Sequence, residues 1–143
     1  MTILDEIAYT VKKIKKINDK IKYLEMKADA PRSSVFSDMP KGGGGAGNPL
    51  EQYIVKKEEL TEKLTASNAR LERLWCKAAR QMSDVGVERQ TRKMIYLRFV
   101  CGFQWEKCAV MLNDKYPNCK WNVNKCFRKY RDVLYKIRQA ERE

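Results

Sequence analysis

Two segments of this chain repeat apolar side chains every seven residues, and this spacing constrains the fold more than any other feature. The rows of the first segment, residues 3–28, are Ile7, Ile14, Ile21 and Ala28, and Ile3, Thr10, Ile17 and Leu24. Lysines occupy much of the opposite side. A heptad of this kind predicts a long amphipathic helix with a coiled-coil-like seam, which Pro31 would end.

The second heptad segment begins at Asn48-Pro49, where Asn fits the N-cap and Pro the first helical position. Glu51 lies three residues after Asn48, as a capping box requires. The apolar rows are Leu50, Leu64, Leu71 and Ala78, and Tyr53, Leu60 and Leu74, with Lys57 and Ser67 interrupting the seam. This pattern predicts a second long helix that runs to about Met82.

The segment between the two helices, about residues 29–47, contains two prolines and five glycines. Such a composition predicts a long loop rather than a helix or a strand. The two helices could fold back as an antiparallel hairpin or could pair between chains, and a hairpin without any partner is an equally open interpretation. We therefore predict that residues 1–85 form one domain of two long helices.

Residues 86–143 have the pattern of three shorter helices and form the second predicted domain. The first covers residues 87–100 and would end at Cys101-Gly102. The second covers residues 104–112, with Trp105, Cys108, Ala109 and Leu112 facing inward. After a turn at NDKYPN, the last helix has one apolar stripe: Val123, Phe127, Tyr130, Leu134 and Ile137. The predicted fold class is all-α, a helical hairpin followed by a helix-turn-helix domain.

Positive charge is concentrated in this second domain. The chain has 30 basic and 18 acidic residues and a net charge of +12. Residues 86–143 contain fourteen of the bases and six of the acids, which gives a net charge of +8. A basic field focused on one segment is typical of a polyanion-binding protein. An anionic membrane is the weaker alternative, because the apolar positions are needed for a core.

The last predicted helix combines its apolar stripe with Asn, Lys and Arg on its other sides. Asn and Arg can read adenine and guanine edges through paired hydrogen bonds, and Lys and Arg neutralise phosphates. The candidates for base reading are Asn122, Asn124, Lys125 and Arg128. The candidates for phosphate contacts are Arg92, Lys93, Arg98, Lys107, Lys120, Lys129 and Arg131. A solvated basic face on a structural helix is the alternative interpretation.

The composition excludes several other classes of protein. The chain has no histidine, no phosphate-binding glycine motif and no run of about 18 uncharged apolar residues. The N-terminus lacks the apolar region of a secretory signal, so a cytoplasmic protein with free thiols is expected. Four of the five cysteines lie in the last 43 residues, but they do not form the close pairs of a zinc site. We expect no enzyme activity, no cofactor and no metal, and a four-cysteine zinc site is the alternative.

Residues 94–112, MIYLRFVCGFQWEKCAVML, resemble the region 4 helix-turn-helix of bacterial sigma-70-type factors. The shared positions are Leu97, Arg98, Phe99, Gly102, Trp105, Glu106 and Ala109. This sequence differs in its longer NDKYPNCK turn. The layout of the whole chain also resembles the ArpU/RinA-like transcriptional regulators of phages. This resemblance implies a sequence-specific DNA-binding regulator of phage or prophage genes, and in particular an activator of late genes.

The partners expected from this interpretation are double-stranded DNA, a second copy of the chain bound through the N-terminal helices to form a dimer, and a possible contact with RNA polymerase. A phage small terminase subunit is an alternative, although that class usually has its DNA-binding unit at the N-terminus. A protein-binding adaptor, such as an anti-sigma factor, is the other alternative. No membrane partner is expected.

Overall fold

The computed structural model describes residues 2–29 and 49–142, and all regular structure in these residues is helical. The elements are α1 (Ile3–Asp29), α2 (Pro49–Asp84), α3 (Arg89–Ile95), which continues as a π-helical segment (Tyr96–Val100), α4 (Trp105–Lys115), a 3-10 turn (Pro117–Cys119) and α5 (Val123–Arg142). The all-α prediction is confirmed. Within the described ranges, none of the helices combines the length and the apolar character that a membrane span needs.

Helices α1 and α2 form the predicted helical hairpin. Ile7 near the start of α1 shares a core with Met82 near the end of α2. Further along α1, Glu25 forms an ion pair of 3.3 Å with the Lys57 ammonium of α2. These two contacts define an antiparallel pair of helices. The predicted loop, from residue 30 onward, and the predicted Asn48 cap lie outside the described residues.

The chain divides into two compact units. The hairpin unit is Lys12–Arg70, and the core unit combines Met1–Val11 with Leu71–Glu143. The start of α1 and the end of α2 therefore belong to the same unit as α3, α4 and α5. The domain boundary between residues 85 and 86 stays a prediction.

In the hairpin unit, Ile17 and Ser67 are buried, and the other seam residues are half-buried or exposed. Lys57, which interrupts the apolar row, donates a hydrogen bond to the Tyr53 hydroxyl and pairs with Glu25. The hydrogen bond from Lys57 to Tyr53, and then the pairing with Glu25, raise the pKa of Lys57 above its ordinary value. A polar position in the heptad thus becomes a link between the two helices.

The core unit contains most of the fully buried apolar side chains of the described residues. Its members come from all five helices and from the connections before α3 and α5: Ile3, Leu4, Ile7, Ala78, Met82, Val87, Met94, Ile95, Leu97, Trp105, Cys108, Ala109, Leu112, Trp121, Cys126, Val133 and Ile137. The inward positions predicted for α4 are all confirmed as buried. Residues from the start of α1 contribute to this core, so the N-terminus helps to support the C-terminal helices.

Glycines end two of the helical segments. At the end of α2, Gly86 has a φ of +80°, and the Val87 amide donates to the Met82 carbonyl at 2.9 Å. The Gly86 amide donates to the Ser83 carbonyl, which completes a Schellman motif. After the π-helical segment, Gly102 has a φ of +74°. Positive φ is easily accessible only to glycine, so these two residues set the sharp turns before α3 and α4.

We expect Ile7→Ala to lower the free energy of unfolding by about 2–5 kcal/mol, because Ile7 is completely buried in the core unit. Ile14→Ala removes the same atoms one heptad later from a half-buried position. It should cost clearly less. Urea unfolding followed by circular dichroism measures both changes. Equal losses for the two variants would contradict the division of α1 between a tightly packed start and a thinner hairpin.

Candidate nucleic-acid interface

The side chain of Trp105 anchors α4 against α5 and against the π-helical segment. Its ring lies 5.5 Å from the rings of both Phe127 and Tyr130 of α5, measured between centroids. The Arg98 guanidinium lies 5.2 Å from the Trp105 ring and donates a hydrogen bond of 3.0 Å to the Phe103 carbonyl. Three consecutive elements are therefore held together around one indole, and the orientation of α5 is fixed at its first two turns.

The connection between α4 and α5 is ordered by the side chain of Asn113. Its amide nitrogen donates to the Trp121 carbonyl at 2.8 Å, and its amide oxygen accepts from the Trp121 N–H at 2.6 Å. The buried Trp121 indole donates in turn to the Gln90 side chain at 3.1 Å. Within the same connection, Lys120 adopts a left-handed conformation with a φ of 49°. The connection is therefore a defined turn that sets where α5 begins.

Helix α5 has one buried side and one long basic side. Cys126, Val133 and Ile137 are buried. We call the exposed side the reading row and define it as Asn124, Arg128, Arg131 and Arg138, which follow at steps of four, three and seven residues. These steps place all four residues on one face of a helix. Asn124, Arg128 and Arg131 also line a shallow open depression of about 350 Å³.

The structure separates the four base-reading candidates into two pairs. Asn124 and Arg128 are exposed on the reading row. The Asn122 side chain accepts a hydrogen bond of 2.8 Å from the Lys125 amide and so caps the start of α5. The Lys125 ammonium donates to the Cys119 carbonyl at 2.6 Å and lies 4.6 Å from the Trp121 ring centroid. Asn122 and Lys125 thus contribute to the turn that positions the other two.

Three phosphate candidates have their charged groups exposed. Lys107 lies on the outer side of α4, with its ammonium 4.2 Å from the centroid of the Phe103 ring. Lys120 is exposed in the turn before α5, and Arg131 is exposed on the reading row. These cations come from three consecutive parts of the candidate site, and each is accessible to an anionic ligand.

The other four phosphate candidates are half-buried. Arg98 is committed to Trp105 and Phe103, and Lys129 forms a long ion pair of 3.9 Å with Glu88. Lys93 lies 5.7 Å from the Tyr96 ring centroid. Arg92 is half-buried, and its Nε atom is buried without a hydrogen-bond partner in the structure. These four side chains are therefore less accessible to an anionic ligand than Lys107, Lys120 and Arg131.

The predicted apolar stripe of α5 is wrong at one position. Phe127 was expected inside, but 41% of it is exposed, while Cys126 and Val133 are buried. The Phe127 ring still lies 5.5 Å from the Trp105 ring, measured between centroids, and Phe127 also lines the depression beside Asn124 and Arg128. The aromatic ring therefore borders the reading row and does not lie in the core.

The structure adds residues that the sequence interpretation missed. Helix α5 continues to Arg142, and its last turns contribute Arg138, Arg142 and Tyr135, which is 65% exposed. Together with Arg131 they line a second shallow depression. The spacing from Arg131 to Arg138 is one heptad, so this signal was present in the sequence, but the basic face was followed only as far as Arg131.

The cysteines are all free thiols, and only two of them are buried. Burial raises the pKa of Cys126 to about 11, and it also raises the pKa of Cys108. Both thiols therefore stay protonated near neutral pH and act as small apolar side chains. In the part of the chain that the structure describes, no three Cys, Asp or Glu side chains form a group that could hold a metal ion.

We expect Asn113→Ala to lower the free energy of unfolding by about 1–3 kcal/mol, because it leaves two backbone groups of Trp121 without their partners. Asn118→Ala is the matched control. This residue is exposed in the same connection, and its substitution should change stability by less than about 0.5 kcal/mol. Thermal unfolding compares the two variants. Equal stabilities would show that Asn113 does not hold the turn.

The chain was compared with protein-family models, with curated proteins and with solved structures, and no significant match was found in any of them.

Proposed function

We propose that this chain is a sequence-specific DNA-binding transcriptional regulator. In this proposal α4, the following turn and α5 act as a helix-turn-helix, and α5 enters the major groove of double-stranded DNA. The observation that carries the proposal is the reading row, an exposed face of one Asn and three Arg opposite a buried apolar side. Such a helix offers base-reading groups to a groove while its back stays attached to the protein.

The chemistry of the reading row favours DNA over a simple anion. Arg128 can donate two hydrogen bonds to one guanine, and Asn124 can pair with the N6 and N7 edge of adenine. They lie one helical turn apart, about 6 Å along the axis, so one groove could present bases to both. Arg131 and Arg138 continue the row by up to about 15 Å. At that distance they would meet the phosphates at the groove wall.

The accessible lysines fit the positioning role in the same proposal. Lys107 on α4 and Lys120 before α5 are exposed and would contact phosphates on either side of the groove. Arg98, Lys125 and Asn122 would act indirectly, because they hold the elements that present the reading row. Base contacts and phosphate contacts are thus assigned to different elements.

The regulatory part of the proposal rests on the resemblance to ArpU/RinA-like phage regulators. We infer on that basis a cytoplasmic activator of phage or prophage late genes. The hairpin of α1 and α2 would supply the dimer contact or a surface for RNA polymerase. The two alternatives, a role in DNA packaging and a role as an anti-sigma adaptor, gain no support from the structure beyond the sequence features already described.

A duplex selected by the protein from a random pool, compared with its scrambled version, tests the proposal. Arg128→Ala should cost about 1–3 kcal/mol on the selected duplex and should reduce the preference over the scrambled one, because a base contact is lost. Lys107→Ala should weaken both duplexes about equally. It should also lower the slope of log K against log salt by about one, because a phosphate contact is lost. Fluorescence anisotropy at several salt concentrations gives both quantities.

Lys136→Ala is the control on the same helix, since Lys136 is an exposed base outside the reading row. It should leave the sequence preference unchanged. Asn124, Asn122 and Lys125 should be substituted in the same assay. If the substitutions of Arg128, Asn124, Asn122 and Lys125 all weaken binding to the selected and scrambled duplexes equally, α5 contacts phosphates only. Sequence-specific regulation through α5 is then the wrong interpretation.

A further inference from the structure

The outer face of α1 in the hairpin unit has a row of lysines that the proposed function does not use. We call this row, Lys12, Lys13, Lys16, Lys20 and Lys27, the lysine stripe. All five are exposed. The first two are adjacent in sequence, and the following steps are three, four and seven residues. Tyr23, which is 59% exposed, lies on the same face, with the Lys27 ammonium 5.1 Å from its ring centroid. One continuous face of this helix is therefore cationic.

The lysine stripe forms no ion pair within the described residues. No carboxylate there lies within ion-pair distance of any of its ammonium groups, and among the described residues of the hairpin unit the one ion pair is Lys57 with Glu25. Lys12, Lys16 and Lys20 follow each other at i, i+4, a spacing at which like charges destabilise a helix. The folded protein thus keeps a repulsive arrangement that an anion bound along the helix would relieve.

Helix α2 of the same unit has a different arrangement. Lys56, Lys63 and Arg70 are also exposed and repeat every seven residues. Glu59 and Glu62 lie between them and are exposed as well, so the field along α2 is balanced. The excess of positive charge is therefore specific to α1 and is not a general property of the hairpin.

The burial pattern of α1 decides which anion fits. Ile17 is buried and Ile14, Ile21 and Leu24 are half-buried, so the apolar side of the helix is used within the hairpin. A membrane surface would need that apolar side to be open. Lys12, Lys16 and Lys20 of the lysine stripe present charge at intervals of about 6 Å, since four residues of helix rise about 6 Å. A chain of regularly repeating phosphates is the anion that matches a long linear cation of this kind.

We propose that the lysine stripe is a second nucleic-acid-binding surface, which binds the phosphodiester backbone without regard to sequence. Its ligand is recognised by charge, and the exposed Tyr23 ring lies on the same face. The inference does not require α5 to read bases, because the lysine stripe lies in a different unit and on a different helix. The lysine stripe would add to the affinity for any DNA. It would also make DNA binding more sensitive to salt than binding through the reading row alone.

The test uses the full-length protein and the triple variant Lys12→Gln, Lys16→Gln, Lys20→Gln. Glutamine has nearly the helix propensity of lysine, so α1 should persist. Binding to a duplex of arbitrary sequence is measured by fluorescence anisotropy between low and moderate salt. The slope of log K against log salt should fall by about two to three, because each lost phosphate contact removes about 0.9.

The matched control is Lys56→Gln, Lys63→Gln, Arg70→Gln, which removes the same charge from α2. It should leave the slope close to that of the wild-type protein. Circular dichroism checks the helix content of both variants. The single variant Lys16→Gln, with an expected fall in slope of about one, decides the question if the triple variant loses helicity.

Two further probes separate the possible anions. A single strand of the same length shows whether the lysine stripe takes duplex or single-stranded nucleic acid, and a reduced slope on either one supports the inference. If the triple variant binds both nucleic acids with the wild-type slope, the inference is overturned. If the triple variant loses binding to polyglutamate but keeps the wild-type slope on nucleic acids, the ligand of the lysine stripe is an acidic protein instead. The wild-type protein could show no sequence preference while its slope of log K against log salt still falls in the triple variant. That result would contradict the proposed function but would support the lysine stripe as a nucleic-acid-binding surface.

Discussion

The packing around Trp105 is the constraint on which the rest of the candidate interface depends. Its indole contacts two aromatic rings of α5 and the Arg98 guanidinium of the preceding segment. A helix fixed at its first two turns cannot rotate about its own axis, and rotation is what would move Asn124 and Arg128 away from solvent. The buried indole thus determines which face of α5 is presented, although it lies on the side away from that face.

In both α1 and α5 the basic residues lie on the side of the helix away from its buried apolar residues. α5 buries Cys126, Val133 and Ile137 and keeps its arginines on the opposite side, while α1 buries Ile17 and leaves its lysines outside. Arginine, which can form paired hydrogen bonds to bases, predominates on the reading row, whereas lysine, which carries a compact point charge, forms the lysine stripe. This difference in side-chain type is the reason for assigning sequence reading to α5 and backbone binding to α1.

The local periodicity of the sequence predicted the helices and most of the core. The inward residues of α4 follow directly from their spacing, and the heptads of α1 and α2 predicted a hairpin in which Ile7 and Ala78 are buried. Phe127 was misplaced because it lies at the edge of the apolar side of α5, about 100° around the helix from the buried Cys126. Hydrophobicity alone favours the phenylalanine, and only tertiary packing reverses that choice.

The roles of the polar candidates depended on contacts that no spacing reveals. Lys125 and Asn122 have the right residue types for base reading, but the turn from Tyr116 to Asn122 uses both of them. That turn depends on Asn113, eight residues before Trp121, and the sequence offers no periodic signal for such a contact. Arg138 was missed for a simpler reason, because the basic face was followed only as far as Arg131, although the apolar stripe was followed to Ile137.

Methylation interference on a duplex selected from a random pool tests the central claim most directly. Methyl groups on guanine N7 lie in the major groove, and methyl groups on adenine N3 lie in the minor groove. If α5 reads bases through Asn124 and Arg128, methylation of guanine N7 within the selected site should abolish binding, and methylation of adenine N3 there should have little effect. Interference at adenine N3 alone, or no interference at any base, would contradict the account.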